Sequence, residues 1–138
     1  MSALVCDTSG LIAYFDGSDN HHYPVRVALE AEPGPLIVSP FVLAELDYLL
    51  ASRGMTREEL AALVELATGA WELAQFDAGD LRAAHDIIIR YGDQPVGLTD
   101  ASVVVLAARY QTSRVLTLDH RHFGVLRTVA GKAFTLLP

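Results

Sequence analysis

The chain has little cysteine and no long apolar run. It has one cysteine among 138 residues, so an internal disulfide is excluded. Because Cys6 lies in the apolar run 3–6 with no base beside it, we expect a buried hydrophobic residue rather than a nucleophile. No apolar run reaches the roughly 18 residues of a membrane span, and no basic segment precedes the first run as in a signal peptide. We therefore expect a cytoplasmic protein without a membrane partner.

Basic residues are scarce as well. The 10 lysines and arginines are outnumbered by 17 acidic residues, and the net charge is -7. This balance argues against broad electrostatic affinity for nucleic acid. It does not exclude a nucleic-acid enzyme whose acids are neutralised by metal, and it suits a basic protein partner. The P-loop, HExxH and GxSxG signatures are absent too.

Apolar strands alternate with helices along the chain. Strands are expected at about residues 3–6, 36–38, 71–76, 114–118 and 133–137. Because helical segments separate them, they predict right-handed crossovers and a mainly parallel sheet. The length suits one domain. We therefore predict a three-layer α/β/α sandwich in which residues 1–138 form a single domain.

Three helix starts carry sequence signals. Ser39, followed by proline, fits the N-cap of a helix that stops at Gly54. The segment Thr56-Arg57-Glu58-Glu59 has the form of a capping box, and its helix is expected to carry Leu60, Leu63, Val64 and Ala67 on one face. An apolar helix is expected to start at Asp100, with Thr99 or Asp100 as its cap.

Four acidic residues stand where surface carboxylates are uncommon. Asp7 and Asp119 directly follow apolar strands. Glu45 lies inside the apolar stretch 41–46, and Asp100 precedes an apolar helix. Charged groups are rarely buried without compensation. Because α/β proteins bind ligands outside the carboxyl ends of their strands, we expect Asp7 and Asp119 to lie at that edge of the sheet.

Carboxylates that a fold brings together repel one another and resist ionisation, and a divalent cation removes this conflict. Magnesium and manganese prefer oxygen ligands. Such an ion lowers the pKa of a bound water and stabilises the leaving oxygen of a phosphodiester. A site of this kind needs no nucleophilic side chain, so the four acids predict a metal-dependent active site.

Each acid also has an ordinary explanation. Asp7 and Asp100 fit helix caps. Asp119 fits a turn at the end of its strand, and Glu45 fits a solvated helix face. Asp93 is a weaker fifth candidate, because aspartate is common in Gly/Pro loops of its kind.

The histidines offer a different metal site, which the sequence does not favour. His120 and His122 have no cysteine partners and no spacing typical of zinc ligands. We interpret them as solvated loop or interface residues.

The four acidic segments together resemble the motifs of the PIN-domain nucleases, above all the VapC-type toxins of type II toxin–antitoxin systems. The matching segments are Val5-Cys6-Asp7-Thr8-Ser9-Gly10-Leu11-Ile12, Ser39-Pro40-Phe41-Val42-Leu43-Ala44-Glu45-Leu46-Asp47, Gly97-Leu98-Thr99-Asp100-Ala101-Ser102 and Thr117-Leu118-Asp119-His120-Arg121-His122-Phe123. Each motif alone is moderately specific. All four in this order, over essentially the whole chain, are strongly specific.

The resemblance implies a magnesium- or manganese-dependent endoribonuclease that hydrolyses phosphodiester bonds of structured RNA with a metal-activated water. Asp7 and Asp100 would be the central metal ligands. Glu45 and Asp119 would complete the catalytic cluster and bind the metal directly or through water.

The resemblance also implies supporting residues and partners. Ser9 and Thr99 would hold the carboxylates in place. No basic patch for RNA is evident. Arg121 is the arginine best placed near the site, and it fits a solvated loop residue equally well. Family members commonly form homodimers, and a VapB-type antitoxin inhibits them by inserting a C-terminal segment, often with an arginine, into the acidic groove.

Two other functions stay open. A catalytically idle PIN-like interaction module would have no need of divalent metal. A phosphohydrolase that uses Asp7 as its nucleophile normally needs a second acid two positions on, where this chain has Ser9.

Overall fold

A computed structural model describes residues 2–138. In chain order its elements are β1 (Leu4–Cys6), α1 (Thr8–Phe15), α2 (His22–Glu30), β2 (Leu36–Val38), α3 (Pro40–Ser52), α4 (Thr56–Ala67), β3 (Glu72–Leu73), α5 (Ala78–Arg90), α6 (Leu98–Arg109), β4 (Arg114–Leu116), α7 (His120–Val125) and β5 (Thr135–Leu137). Within this range, no helix combines the length and apolar character that crossing a membrane requires.

The strands form one parallel sheet in the order β3-β2-β1-β4-β5, and the helices flank it. The predicted three-layer α/β/α architecture is therefore confirmed. β1 is central, with Val5 paired to Ile37 of β2 on one side and to Val115 of β4 on the other. The strand order reverses between β1 and β4. In open α/β sheets, ligands bind in the crevice outside such a reversal point.

The central strand and α6 form the middle of the core. β1 is buried throughout, and α6 has an unbroken buried stretch from Ala101 to Ala107. Burying a valine or leucine side chain stabilises a fold by about 1.5–3 kcal/mol, so these two elements anchor the region that carries the acids. Cys6 is fully buried there, as expected, and burial raises the pKa of its thiol.

The turn between α3 and α4 corrects one prediction. Gly54 adopts a φ of 72°, and its N–H bonds back to the carbonyl of Ala51. The next N–H, of Met55, bonds to the carbonyl of Leu50. This helix ending leads the chain straight into α4, so Met55 takes the N-cap position and no side chain caps the helix. The predicted capping box at Thr56 is wrong.

The apolar face of α4 noted in the sequence is not the face that meets the core. Ala62 and Leu66 are buried, and α4 packs against α3. The four residues of the noted face are exposed: Leu60, Leu63, Val64 and Ala67. The helix has two apolar stripes, and periodicity alone does not decide which one meets the core.

The strand predicted at 71–76 is reduced to Glu72 and Leu73, both exposed. Only these two residues pair with β2, while Trp71 and Ala74 on either side are buried in the core. Because two consecutive exposed residues stand between two buried ones, burial does not follow the alternation that predicted the strand.

Candidate active site

A cleft of about 400 Å³ opens beyond the carboxyl ends of β1 and β4. The four predicted acids all line it: Asp7, Glu45, Asp100 and Asp119. Asp7 follows β1, Glu45 belongs to α3, and Asp100 lies in the first turn of α6. Asp119 is the N-cap of α7. Residues far apart in the sequence thus meet at the reversal point of the sheet.

Asp7 is 5% exposed and occupies the N-cap of α1, but its side chain does not cap the helix. Its Oδ2 instead accepts hydrogen bonds from Ser9 Oγ at 3.1 Å and from Thr117 Oγ1 at 2.9 Å. The N–H groups of Leu118 and Asp119 donate to these two hydroxyls. Because each hydroxyl already accepts a backbone N–H, it is oriented to give its single proton to Asp7.

Thr117 was missed by sequence reasoning. The signal was its place at the end of the β4 segment, two residues before Asp119. Ser9, which the resemblance had indicated, lies against the same carboxylate oxygen, 3.1 Å from Thr117 Oγ1.

Burial shifts two of the acids in the same direction. It raises the pKa of Asp7, and the hydrogen bonds from Thr117 and Ser9 offset only part of that effect. The pKa of Asp100 rises to about 6, first because of burial and then because of the charge of Asp7. Both shifts show that negative charge is crowded into a poorly solvated place.

The start of α6 differs from the prediction. Gly97 is the N-cap, and Thr99 and Asp100 already lie in the first turn. The predicted cap at Thr99 or Asp100 is wrong, so the Asp100 carboxylate has no capping role. Thr99 contributes its backbone carbonyl, which accepts a hydrogen bond from Ser102 Oγ at 2.6 Å.

A buried pair of hydroxyls joins α3 to α6. Ser39 Oγ and Ser102 Oγ lie 2.7 Å apart, and both residues are fully buried. Because Ser102 gives its proton to the carbonyl of Thr99, Ser39 donates to Ser102. Ser39 also accepts the N–H of Phe41 as the N-cap of α3. This chain of hydrogen bonds fixes the N-terminal ends of the two helices that carry Glu45 and Asp100.

His122 lies between two of the acids. Its Nδ1 is 3.0 Å from Asp119 Oδ2 and 3.2 Å from Asp100 Oδ2, while its backbone N–H donates to Asp119 Oδ1. The interpretation of His122 as a solvated loop or interface residue is therefore wrong. The i,i+3 spacing from Asp119 on α7 was the available signal. His120 is exposed.

The basic residue at the cleft is Arg53, whereas Arg121 is solvent-exposed, the second of the two roles that the sequence left open for it. Glu45 is exposed on α3, and Leu49 and Arg53 line the cleft one and two turns further along that helix. Arg121 is exposed on α7 and is not part of the cleft lining. Asp93 is exposed in the turn before α6 and likewise lies outside the lining.

The donor set of the cleft fits a hard divalent cation. All four acids offer oxygen, and a cation would offset the burial and the charge crowding that raise the pKa values of Asp7 and Asp100. Within residues 2–138, no three acidic, histidine or cysteine side chains converge closely enough to hold an ion by themselves. Magnesium commonly takes one or two carboxylates and completes its shell with water and phosphate. The cleft therefore suits a hydrated ion rather than a closed protein cage.

Residues 4–128 match the family model described as PIN domain. The chain belongs to the PIN-domain family. A PIN relative, Ribonuclease VapC26 of Mycobacterium tuberculosis (strain ATCC 25618 / H37Rv), is 48% identical over 135 residues. That similarity covers 98% of this chain and 100% of the relative.

Solved structures show the same PIN fold at low sequence identity. The crystal structure of M. tuberculosis VapC20, a Sarcin-Ricin loop cleaving toxin, has a TM-score of 0.76 at 20% identity, covering 81% of this chain and 86% of that one. A toxin–antitoxin complex from Klebsiella pneumoniae has a TM-score of 0.69 at 18% identity, covering 89% and 92%. VapBC2 from Rickettsia felis, bound to a DNA fragment from its promoter, has a TM-score of 0.69 at 16% identity, covering 99% of both chains.

Proposed function

We propose that this chain is a metal-dependent endoribonuclease and the toxin of a type II toxin–antitoxin pair. The observation that carries the proposal is the meeting of four carboxylates from four segments in one cleft at the reversal point of the sheet. The 48% identity to a protein named Ribonuclease VapC26 supports the same activity.

In this proposal Asp7 and Asp100 hold Mg²⁺ or Mn²⁺, and Glu45 and Asp119 complete the cluster directly or through water. When bound, the ion supplies activation of water and neutralisation of charge on the phosphodiester. Ser9 and Thr117 keep the Asp7 carboxylate in one orientation and favour its ionised form. The His122 imidazole lies between the carboxylates of Asp119 and Asp100 and links these two sides of the cleft.

The test is cleavage of total tRNA and ribosomal RNA by the purified protein. We expect cleavage with Mg²⁺ or Mn²⁺ and none with EDTA. Asp7→Asn and Asp100→Asn should each lower the rate by at least about 100-fold, because each weakens binding of the ion that would neutralise charge on the phosphodiester. Asp93→Asn, which removes an exposed acid outside the cleft, is the matched control and should keep full activity.

Undiminished cleavage in EDTA, or in both Asp7→Asn and Asp100→Asn, would refute the proposal. The two alternatives predict other results. An idle interaction module would show neither cleavage nor divalent-metal affinity. A phosphohydrolase would form a phosphoryl-aspartate at Asp7.

We further propose a VapB-type antitoxin as the protein partner, since similar folds occur in toxin–antitoxin complexes. The acidic cleft suits a basic side chain of that partner, because charge-assisted hydrogen bonds to carboxylates are strong. A homodimer and a cytoplasmic location stay predictions. That residues 1–138 form one PIN-like domain is also proposed, supported by a main hydrophobic cluster that extends from Ala3 to Phe134.

A further inference from the structure

One cation of the cleft has no role in the chemistry proposed above. Arg53 is the C-cap of α3, and its side chain is 46% exposed. Among the lysine and arginine residues in the described part of the chain, it is the one that lines the acidic cleft. In a protein of net charge -7, a cation at this position opposes the repulsion that RNA meets on approach.

Asp16 holds the Arg53 side chain in place. Its carboxylate is 8% exposed, and its Oδ2 accepts a hydrogen bond from Arg53 Nη1 at 3.1 Å. Its Oδ1 accepts two more from Ser18, one from the hydroxyl at 2.6 Å and one from the N–H at 2.9 Å. Together these hydrogen bonds keep the pKa of Asp16 below its usual range, and the one from the Ser18 hydroxyl contributes most. The tether is therefore an ionised, fixed carboxylate.

The guanidinium keeps most of its donors available. The arginine side chain has five N–H donors, and within residues 2–138 the hydrogen bond to Asp16 is the one that the Arg53 guanidinium makes. The remaining edge of the planar fork matches the geometry of a phosphate group, which arginine binds with two parallel hydrogen bonds. A guanidinium held at one edge by a buried acid loses little freedom when a phosphate binds the other edge.

The position of Arg53 on α3 decides which phosphate it reaches. Glu45, Leu49 and Arg53 are spaced i, i+4 and i+8 and all line the cleft. Eight helical residues span about 12 Å, so Arg53 lies well beyond the acid that α3 contributes. That separation favours contact of Arg53 with a neighbouring phosphate of the RNA strand over contact with the scissile phosphate, which lies at the acids.

We propose that Arg53, oriented by Asp16, binds a backbone phosphate that flanks the scissile phosphate of the RNA. The inference rests on the proposed ribonuclease function. Arg53 is then a substrate-binding residue, and Asp16 is a positioning residue that acts through it.

The experiment measures binding of an end-labelled single-stranded RNA oligonucleotide in the Asp100→Asn background, where the RNA is not cut. Arg53→Gln should weaken binding about tenfold, the loss of one charge-assisted contact. It should also reduce the salt slope of log affinity by about 0.7, the value for one phosphate of a single strand. The RNA affinity of Arg53→Lys should lie between those of the unmodified Arg53 protein and Arg53→Gln, because lysine keeps the charge but lacks the planar fork. Asp16→Asn should weaken binding less than Arg53→Gln.

Arg82→Gln is the matched control, since Arg82 is exposed on α5 and lies outside the cleft lining. It makes the same change of charge and should leave RNA affinity and salt slope unaltered. Mg²⁺ affinity of the Arg53→Gln single variant, measured by calorimetry, should stay equal or become tighter, because a nearby positive charge is removed.

Two results would overturn the inference. One is equal RNA affinity and equal salt slope for Arg53→Gln and Arg82→Gln. The other is a parallel fall in melting temperature, Mg²⁺ affinity and RNA affinity for Arg53→Gln, which indicates a purely structural ion pair. If the wild-type protein binds RNA but never cuts it, the ribonuclease proposal is refuted. The comparison of Arg53→Gln with Arg82→Gln then still decides whether Arg53 binds a phosphate. A protein that binds no RNA refutes both.

Discussion

At the scale of single residues, the cleft consists of acids that the fold keeps away from water. Asp7 is almost fully buried, and the pKa of Asp100 is raised to about 6 by burial and by Asp7. A carboxyl whose pKa is raised by folding destabilises the folded state once pH exceeds its unfolded value. At neutral pH, without metal, these acids therefore cost stability, which is common where a site is built for function.

Asp100→Asn should thus stabilise the metal-free protein. At pH 8 in EDTA we expect its melting temperature to exceed that of the wild type by a few degrees, because the amide carries no charge to repel Asp7. Addition of Mg²⁺ should raise the melting temperature of the wild type and have little effect on the variant. Differential scanning calorimetry measures both. A variant less stable than the wild type in EDTA would show that Asp100 contributes to the fold rather than opposing it.

The sequence predicted the acids but not the residues around them. Asp7 and Asp119 could be located because each directly follows an apolar strand. Thr117 and His122 carry only a spacing from Asp119 as a local signal, and their contacts with Asp7 and Asp100 join residues far apart in the chain. Arg53 carries no local signal at all. Arg53 meets Asp16 across a separation of 37 positions, and nothing in the local sequence of either residue marks that contact.

At the scale of elements, α1 sets the position of Asp7 and Ser9 by its close approach to β4. Gly10 of α1 allows this approach, because a Cβ added there would lie 2.8 Å from Leu116 Cγ and 3.1 Å from the Leu116 carbonyl oxygen. The backbone conformation of Gly10 is ordinary, so the requirement is for space rather than for a left-handed φ.

Gly10→Ala should therefore destabilise the protein by about 1–3 kcal/mol, the usual cost of overpacking. It should also reduce RNA cleavage, because α1 would shift away from β4 and carry Asp7 with it. Gly124→Ala is a helical control with no atom within 4 Å of the added Cβ, and we expect it to be neutral or slightly stabilising. Urea unfolding measures the free energy of unfolding of both variants. Equal values for Gly10→Ala and Gly124→Ala would exclude the packing argument.

Most element types were predictable from local patterns. The strand–helix order, the cap at Ser39 and the helix stop at Gly54 follow from signals that act within a few residues. The buried face of α4 was not predictable, because Leu60 and Leu66 are equally apolar in sequence. Only the packing of α4 on α3 selects between its two stripes.

At the scale of the whole molecule, an ion pair at the edge opposite the cleft ties the two halves of the sheet together. Glu32 lies before β2, and its side chain is 2% exposed. Its carboxylate accepts hydrogen bonds from Arg114 Nη1 at 2.9 Å and from the N–H of Gly34 at 3.0 Å. Arg114 begins β4, on the other side of β1. The pKa of Glu32 lies below its usual value, and the largest cause is its hydrogen bonding with Arg114.

A lowered carboxyl pKa contributes stability that is complete above the unfolded value and is lost as pH falls through the folded value. Glu32→Gln should therefore reduce the free energy of unfolding at pH 7 by about 1–3 kcal/mol. The difference from the wild type should shrink as pH falls below the unfolded value and through the lowered folded value, where the Glu32 carboxyl becomes protonated. Glu30→Gln, which breaks the exposed pair with Arg26, is the control and should change stability little at either pH. A pH-independent difference for Glu32→Gln would contradict this assignment.

The sequence by itself determined the layer architecture, the alternation of strands and helices, and the acids that follow or precede apolar segments. These depend on short-range periodicity and on the rule that parallel strands end at one edge. Only the tertiary structure decided how the acids are held, that His122 and Arg53 join them, and which stripe of α4 is buried. Hydrogen bonds, charge crowding and packing between distant residues depend on distances in space, and no local pattern in the chain encodes those distances.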